Sequence, residues 1–323
     1  MRSDFGTRLP LSRAALDRDH LRRAREPEGL LSEPGARIVV LHEGRVLLHG
    51  DAEPRVLLPE APPLAALPPE TLVLFLGTVL PGDDELAAGI PVLALVVEDE
   101  GVDALTEAGL IPRAASWGDL RRLGARLGAR DAGLVTQALA LANWHRSAAF
   151  SPRSGRPTES VLSGWVRRDP TDGSEYFPRT DAAVIVGVTD ADDRLLLGSN
   201  AVWESNRFSL LAGFVEPGES FEAAVEREIF EESGLRVVDP VYLGSQPWPF
   251  PASLMVGFRA RLAEGEDPTG RPDGEEILEL RWFSRMELQD ALGEILLPGP
   301  TSIARRIIED WFGAEIDDGQ RTP

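Results

Sequence analysis

Between Gly213 and Leu235 the chain carries seven glutamates: Glu216, Glu219, Glu222, Glu226, Glu228, Glu231 and Glu232. Glu228, Glu231 and Glu232 stand at i, i+3 and i+4, so on a helix they share one face and repel one another. Carboxylates this close raise each other's pKa unless a cation neutralises them. Hard divalent cations prefer such oxygen clusters. A bound cation there would organise a polyphosphate and activate water. The chemistry these residue types suggest is metal-assisted hydrolysis. The plainer reading of a charge run is a solvated helix face.

Local signals say how the glutamates would be positioned. "RFSLLAGFVE" reads as a strand leading into the acidic stretch. Pro217-Gly218 suits the centre of a type II turn. Ser220 is a good N-cap, Phe221, Ala224 and Val225 give the helix an apolar first face, and Gly234 is a stop. The unit is strand, loop, helix, loop. Around it lie further strand candidates: "RTDAAVIVGVTDADDRLLLGSN" as two strands about an Asp-rich turn, then "LRVVDPVYLGS", "SLMVGFRARL" and "LELRWFS". "TSIARRIIEDWFG" reads as an amphipathic helix, and residues 313–323 as a disordered tail.

The first half has no comparable motif. "ARIVVLHEGRVLLHG" predicts a hairpin about Glu43-Gly44. "TLVLFLGTVL" and "IPVLALVVED" predict strands on either side of the Pro81-Gly82-Asp83-Asp84 turn signal. From Ser116, an N-cap candidate, the pattern is helical to about 149, with a break near Asp131–Gly133. Residues 1–149 therefore read as an α+β domain, a scaffold or dimerisation element. Residues 150–178, rich in Gly, Pro and Ser, read as a small looped module, and 179–312 as the domain that carries the acidic stretch.

Composition narrows the chemistry. The chain has 323 residues and a formal net charge of −20, which disfavours loose binding to a nucleic-acid backbone. All 33 basic residues are arginine, so Schiff-base chemistry is out. There is no cysteine, and the four histidines, His20, His42, His49 and His145, lie in the first half. A metal in the second half must take oxygen ligands, which suits Mg2+ or Mn2+ rather than zinc. The longest apolar runs are too short to span a bilayer, and the N-terminus lacks a signal-peptide core. The expected location is cytoplasmic.

The acidic stretch resembles the box of the Nudix hydrolases, G-x5-E-x7-R-E-U-x-E-E-x-G-U with U apolar, at Gly213, Glu219, Arg227, Glu228, Ile229, Glu231, Glu232, Gly234 and Leu235. The resemblance implies an α/β/α sandwich that cleaves nucleoside diphosphates linked to another moiety. It implies metal-binding or catalytic roles for Glu228, Glu231 and Glu232, with Glu232 closest to the catalytic step, and a structural role for Arg227 through Glu219.

Downstream, "SQPWPFPASLM" sets Trp248 and Phe250 among three prolines. The prolines predict an extended chain with rigid aromatic faces suited to stacking, one ring facing ligand and the other anchoring the loop. The run resembles the SQPWPFPxS signature of the NADH pyrophosphatases, the Nudix subgroup that cleaves NAD(H) to NMN(H) and AMP. That implies substrate contacts from Gln246, Pro247, Trp248, Pro249, Phe250, Pro251, Ala252 and Ser253, and also from Phe177 and Ala304. It implies further metal ligation by Ala212, through its backbone, and by Glu276, with Glu275 one residue away. It also implies a homodimer. The family usually carries a four-cysteine zinc ribbon between its domains. Here the four positions read Ser151, Ser154, Asp169 and Asp172, a poor set for zinc, so a degenerate, zinc-free ribbon packed around Trp165 is expected. Removal of NAD caps from RNA 5′ ends would use the same chemistry. A Nudix diphosphatase for ADP-ribose or other dinucleotides, and a non-catalytic NAD(H) sensor on the same fold, are the alternatives.

Overall fold

The computed structural model describes residues 4–13, 16–49, 53–317 and 319. Packing divides the chain into two units. One holds 13–180 together with 248–252. The other holds 181–247 with the described parts of 1–12 and 253–323. This division groups residues 150–178 with those before them, and residues 4–12 with the C-terminal unit.

Among the described residues the first unit is built on seven strands: β1 (Leu16–Asp17), β2 (Arg37–His42), β3 (Arg45–His49), β4 (Arg55–Val56), β5 (Leu72–Val79), β6 (Pro91–Val97) and β7 (Ser116–Gly118). Their order is β1-β5-β6-β2-β3-β4, with β7 on β3. β2, β5 and β6 are buried almost throughout, which is why each is a continuous apolar run. The β2–β3 hairpin turns at Glu43-Gly44 as expected, with φ of +49° and +74°, the left-handed pair of a type I′ turn. Helix α1 (Ala129–Ser147) packs on β2 and β5.

The helical reading from Ser116 needs correction. Residues 116–118 pair with β3 as a strand, and the first helical turn, Leu120–Leu123, is capped by Asp119. The break falls at 124–128, between two glycines, not at Asp131–Gly133. Asp131 sits inside α1, buried, accepting the Val56 N–H at 2.8 Å and pairing with Arg130. That long-range role has no local signature.

Residues 150–178 carry a three-stranded antiparallel sheet of β8 (Glu159–Val161), β9 (Val166–Arg168) and β10 (Glu175–Tyr176). Trp165 ties it to the larger sheet of the same unit: its indole N–H donates to the Phe75 carbonyl at 2.7 Å, under the Arg23 guanidinium.

The second unit is a sheet of β11 (Asp181–Thr189), β12 (Leu195–Asn200), β13 (Leu211–Phe214), β14 (Val237–Trp248), β15 (Ser253–Leu262) and β16 (Ile277–Phe283). Its order is β14-β15-β11-β12-β16, with β13 on β11 and β11 parallel to β15. Alternation along β11 sets the layers. Val184, Val186 and Val188 join Ala224, Val225 and Ile229 of helix α2 (Phe221–Ser233). Ile185 faces the opposite cluster, with Ile303, Ile307 and Trp311 of helix α3 (Ile303–Phe312) and with Phe5 and Leu9. This is the α/β/α sandwich. After α3, Ile316 returns to the core and its N–H bonds Glu309 at 3.2 Å. The start of the expected tail is therefore packed, while 318 and 320–323 lie outside the described residues. Among the described residues no helix is long and apolar enough to cross a membrane.

Candidate active site

The strand–loop–helix unit forms as its residue types require. The Glu219 N–H closes the Pro217-Gly218 turn onto the Glu216 carbonyl at 3.1 Å, with Gly218 at φ +97°. Ser220 caps α2 by accepting the Ala223 N–H, and Gly234 ends the helix at φ +69°. Arg227 is the hub of the loop. It donates Nε to Glu219 Oε1 (2.6 Å), Nη2 to Glu219 Oε2 (3.0 Å) and the Phe214 carbonyl (2.9 Å), and Nη1 to Glu231 (2.8 Å). The Arg227 bond, helped by the Glu216 N–H, holds Glu219 down to about 2. A Cβ on Gly213 would lie 2.0 Å from the Glu228 carboxyl carbon. Glycine there lets that carboxylate lie flat against β13.

Glu232 is 5% exposed. Its carboxylate accepts the Ala212 N–H, while Oε2 is buried with no partner. Burial, then the charges of Glu276 and Glu228, push Glu232 up to about 8. Glu228 is also raised, by burial first, against the pull of Arg227. Of the pair Glu275 and Glu276, it is Glu276 whose charge acts on both of these glutamates. Glu276 is presented by a turn in which Asp273 accepts the N–H groups of Glu275, Glu276 and Ile277, and Asn200 donates to its Oε1 at 3.3 Å. Sequence reading missed Asp273, although the Asp-Gly pair ahead of Glu275 is a turn signal.

These residues fit a hard divalent cation. A buried oxygen without a donor, beside two carboxylates whose charged forms are disfavoured, needs positive charge to ionise. The cage is not closed as it stands: among the described residues no three Asp, Glu or His side chains are arranged to hold an ion. Glu231, whose side chain is 56% exposed, is turned onto Arg227.

The proline-rich motif departs from its expected form. Residues up to Trp248 belong to β14, and 249–252 form a turn, with the Phe250 N–H donating to the Trp248 carbonyl at 2.7 Å. Trp248 and Phe250 do not diverge: they meet edge to face, with centroids 4.9 Å apart. Residues two apart on an extended chain share a side, which the expectation of one ring in and one ring out overlooked. Gln246 is packed inside the second unit. It has no exposed surface, and its amide accepts the Leu11 N–H (3.1 Å) and donates to the Thr301 carbonyl (3.0 Å). Ala304 is 2% exposed, on the core face of α3. Pro249 is buried, Pro247 and Pro251 are exposed, and Ala252 and Ser253 are half-buried. Phe177 is 63% exposed.

Residues 178–301 match the family model described as NUDIX domain, and 35–144 match an NADH pyrophosphatase-like rudimentary NUDIX domain. The chain is 43% identical over 316 residues to the NAD-capped RNA hydrolase NudC of Mycobacterium bovis, covering 94% of this chain and 95% of that one. The Mycobacterium tuberculosis protein of that name matches with the same identity and coverage. NAD-capped RNA hydrolase NUDT12 of Macaca fascicularis is 32% identical over 275 residues, covering 76% of this chain and 58% of the relative.

The chain belongs to the Nudix hydrolases.

The rudimentary match gives residues 35–144 an origin that their plain pattern did not disclose. In this Nudix hydrolase the four positions of the expected ribbon do not fit zinc. Ser151 shares a hydrogen bond with the Tyr176 hydroxyl (2.8 Å) and accepts the Ser154 N–H (3.2 Å). Ser154 donates its hydroxyl to Asp169 Oδ2 at 2.5 Å, and Asp169 Oδ1 accepts the Thr171 N–H at 2.8 Å. Asp172 accepts the Ser174 N–H at 2.8 Å. Two hydroxyls and two hydrogen-bonded carboxylates offer zinc no thiolate or imidazole.

Proposed function

We propose that this Nudix hydrolase is a metal-dependent diphosphatase that cleaves NAD(H) to NMN(H) and AMP, and removes NAD caps from RNA 5′ ends by the same cleavage. The observation that carries the reading is Glu232: a nearly fully buried carboxylate with one oxygen lacking a donor, flanked by Glu228 and Glu276 on a complete box. The names of the relatives support the substrate class. Mg2+ or Mn2+ would be held by Glu228, Glu231, Glu232, Glu276 and the Ala212 backbone. When bound, the cation would withdraw charge from the diphosphate and lower the pKa of water.

The chain's own residues have separable duties. Glu232 holds a proton below about 8 and, once ionised, is the candidate ligand and base. Arg227 orients Glu228 and Glu231 through charge-assisted hydrogen bonds. The Trp248–Phe250 pair supplies the stacking surface for a base or nicotinamide ring, with Phe177 a further aromatic candidate. Gln246 holds the motif's first residues in place rather than touching substrate. By resemblance the enzyme works as a cytoplasmic homodimer, and its net charge of −20 leaves little affinity for RNA beyond the cap.

Product analysis tests the reading. NADH, ADP-ribose and dinucleoside polyphosphates are each incubated with the protein and Mg2+ or Mn2+. NMNH and AMP from NADH at the highest kcat/KM is the expected result. ADP-ribose as the preferred substrate would make it a diphosphatase of the alternative kind. Binding without turnover would make it a sensor.

A further inference from the structure

Within loop 248–252 the backbone hydrogen bond is the one from the Phe250 N–H to the Trp248 carbonyl, at 2.7 Å. Pro249 and Pro251 lack an N–H, so the loop has few backbone donors, and its carbonyls must be met from elsewhere. They are met by Asn143. Its Nδ2 donates to the Pro249 carbonyl at 2.8 Å and reaches the Pro251 carbonyl at 3.4 Å. The amide is held in that orientation because its other end accepts Arg146 Nη2 at 2.9 Å. Asn143 stands near the end of α1, a 19-residue helix whose Leu139, Ala142 and Trp144 are buried. A second support is Arg121, on the turn capped by Asp119, whose guanidinium lies 4.2 Å from the centre of the Phe250 ring and 5.9 Å from that of Trp248. Phe250 therefore has both Arg121 and Trp248 as neighbours.

We infer that Asn143 and Arg121 are positioning residues for substrate selection, and that the rudimentary domain serves to hold the loop that recognises the second ring of a dinucleotide. This rests on the reading of the loop given above. The physical gain is preorganisation: a loop already fixed loses less entropy when a ring stacks on it. The effect falls on substrates that bring a ring to the loop, not on the diphosphate chemistry.

Steady-state kinetics with Mn2+ and two substrates, NADH and ADP-ribose, test it, with Trp248→Ala as the reference. Trp248→Ala is expected to raise the KM for NADH roughly 5- to 150-fold, the range for lost stacking on an aromatic. Asn143→Asp keeps the size of the side chain and its contact with Arg146 but offers the loop no donor. It is expected to raise that KM about 3- to 10-fold, with kcat and both ADP-ribose constants within about twofold of wild type. Arg121→Ala is expected to behave in the same way. Arg121→Lys, which keeps the charge and loses the flat face, replaces it if the alanine variant does not fold, with a smaller shift in the same direction. If Trp248→Ala changes the preference for NADH and the Asn143 and Arg121 variants do not, the inference is overturned and the reading of the loop stands. Equal effects on both substrates also overturn it, since a structural support would act on both. If Trp248→Ala leaves the preference unchanged, the reading of the loop falls and this inference with it.

Discussion

Glu232 and Asp169 are both acidic side chains with almost no exposed surface, at 5% and 0%, and their surroundings act on them in opposite ways. Asp169 meets the Ser154 hydroxyl, the Thr171 N–H and a turn closed by its own backbone, and its pKa is driven far below the usual range, first by Ser154. Glu232 meets one N–H, leaves Oε2 without a partner, and is pushed up to about 8 by burial. Burial alone therefore does not mark a metal site. Donor supply separates the two: where the fold satisfies a buried carboxylate with N–H and O–H groups, no cation is needed, and where it withholds them beside other carboxylates, a cation could supply the charge that is lacking.

The sharpest way to break this contrast is Glu232→Gln. Turnover of NADH is expected to fall ~100-fold or more, while the fold is kept. The sign of the stability change follows from the raised pKa. In the folded protein without cation, the protonated form of Glu232 is favoured. That contribution is fully present below the carboxylate's unfolded value, and it is lost as pH rises through about 8. Metal-free wild type should therefore lose Tm progressively relative to Glu232→Gln as pH rises from about 5 to about 8, with little further change above that. Turnover within about threefold of wild type would remove Glu232 from the chemistry.

Gly213→Ala should act on the same site without touching a carboxylate. Its Cβ would displace the Glu228 carboxylate, and a loss of about 10- to 100-fold in kcat/KM is expected, as for other groups that orient metal ligands. Wild-type activity would mean that the close approach of Glu228 to β13 is dispensable.

On the other side of the contrast, Asp169→Ala strips the Ser154 hydroxyl and the Thr171 N–H of their acceptor. Tm should fall by roughly 5 °C, with kcat at 25 °C unchanged. Elemental analysis of the wild type should find no stoichiometric zinc, and a zinc chelator should leave Tm unaltered. One zinc per chain would show that Asp169 and Asp172 serve a metal after all.

The parts of the molecule legible from sequence were those fixed by neighbours in the chain. Ser220 and Gly234 bound α2 because capping is local, and Glu43-Gly44 makes its hairpin because a type I′ turn needs two left-handed residues in a row. Runs such as "AVIVGV" announced a strand. What escaped depended on distant partners. Asp131 is buried within α1 to meet Val56, so a residue that looks like a break lies inside a helix. Gln246 and Ala304 belong to a motif and helix that suggest ligand contact, but Leu11, Thr301 and the core around α3 enclose them. Asn143 and Arg121 carry no motif, and only the folded chain brings them to the proline-rich loop. In the candidate site the box residues were legible, whereas the placing of Glu276, rather than Glu275, beside Glu228 and Glu232 depends on the turn that Asp273 organises.

If Glu232 ligates the cation, the proton that burial holds on it up to about 8 must leave on binding. Calorimetric titration of Mn2+ into the substrate-free protein at pH 7, repeated in buffers of different ionisation enthalpy, counts the protons released on binding. With Glu232 near 8, release should approach one proton per bound cation, since metal binding to a protonated ligand displaces its proton. It should shrink toward zero in Glu232→Gln and as pH is raised past about 9. Binding of Mn2+ at pH 7 with no proton release, or with the same release in Glu232→Gln, would contradict the account.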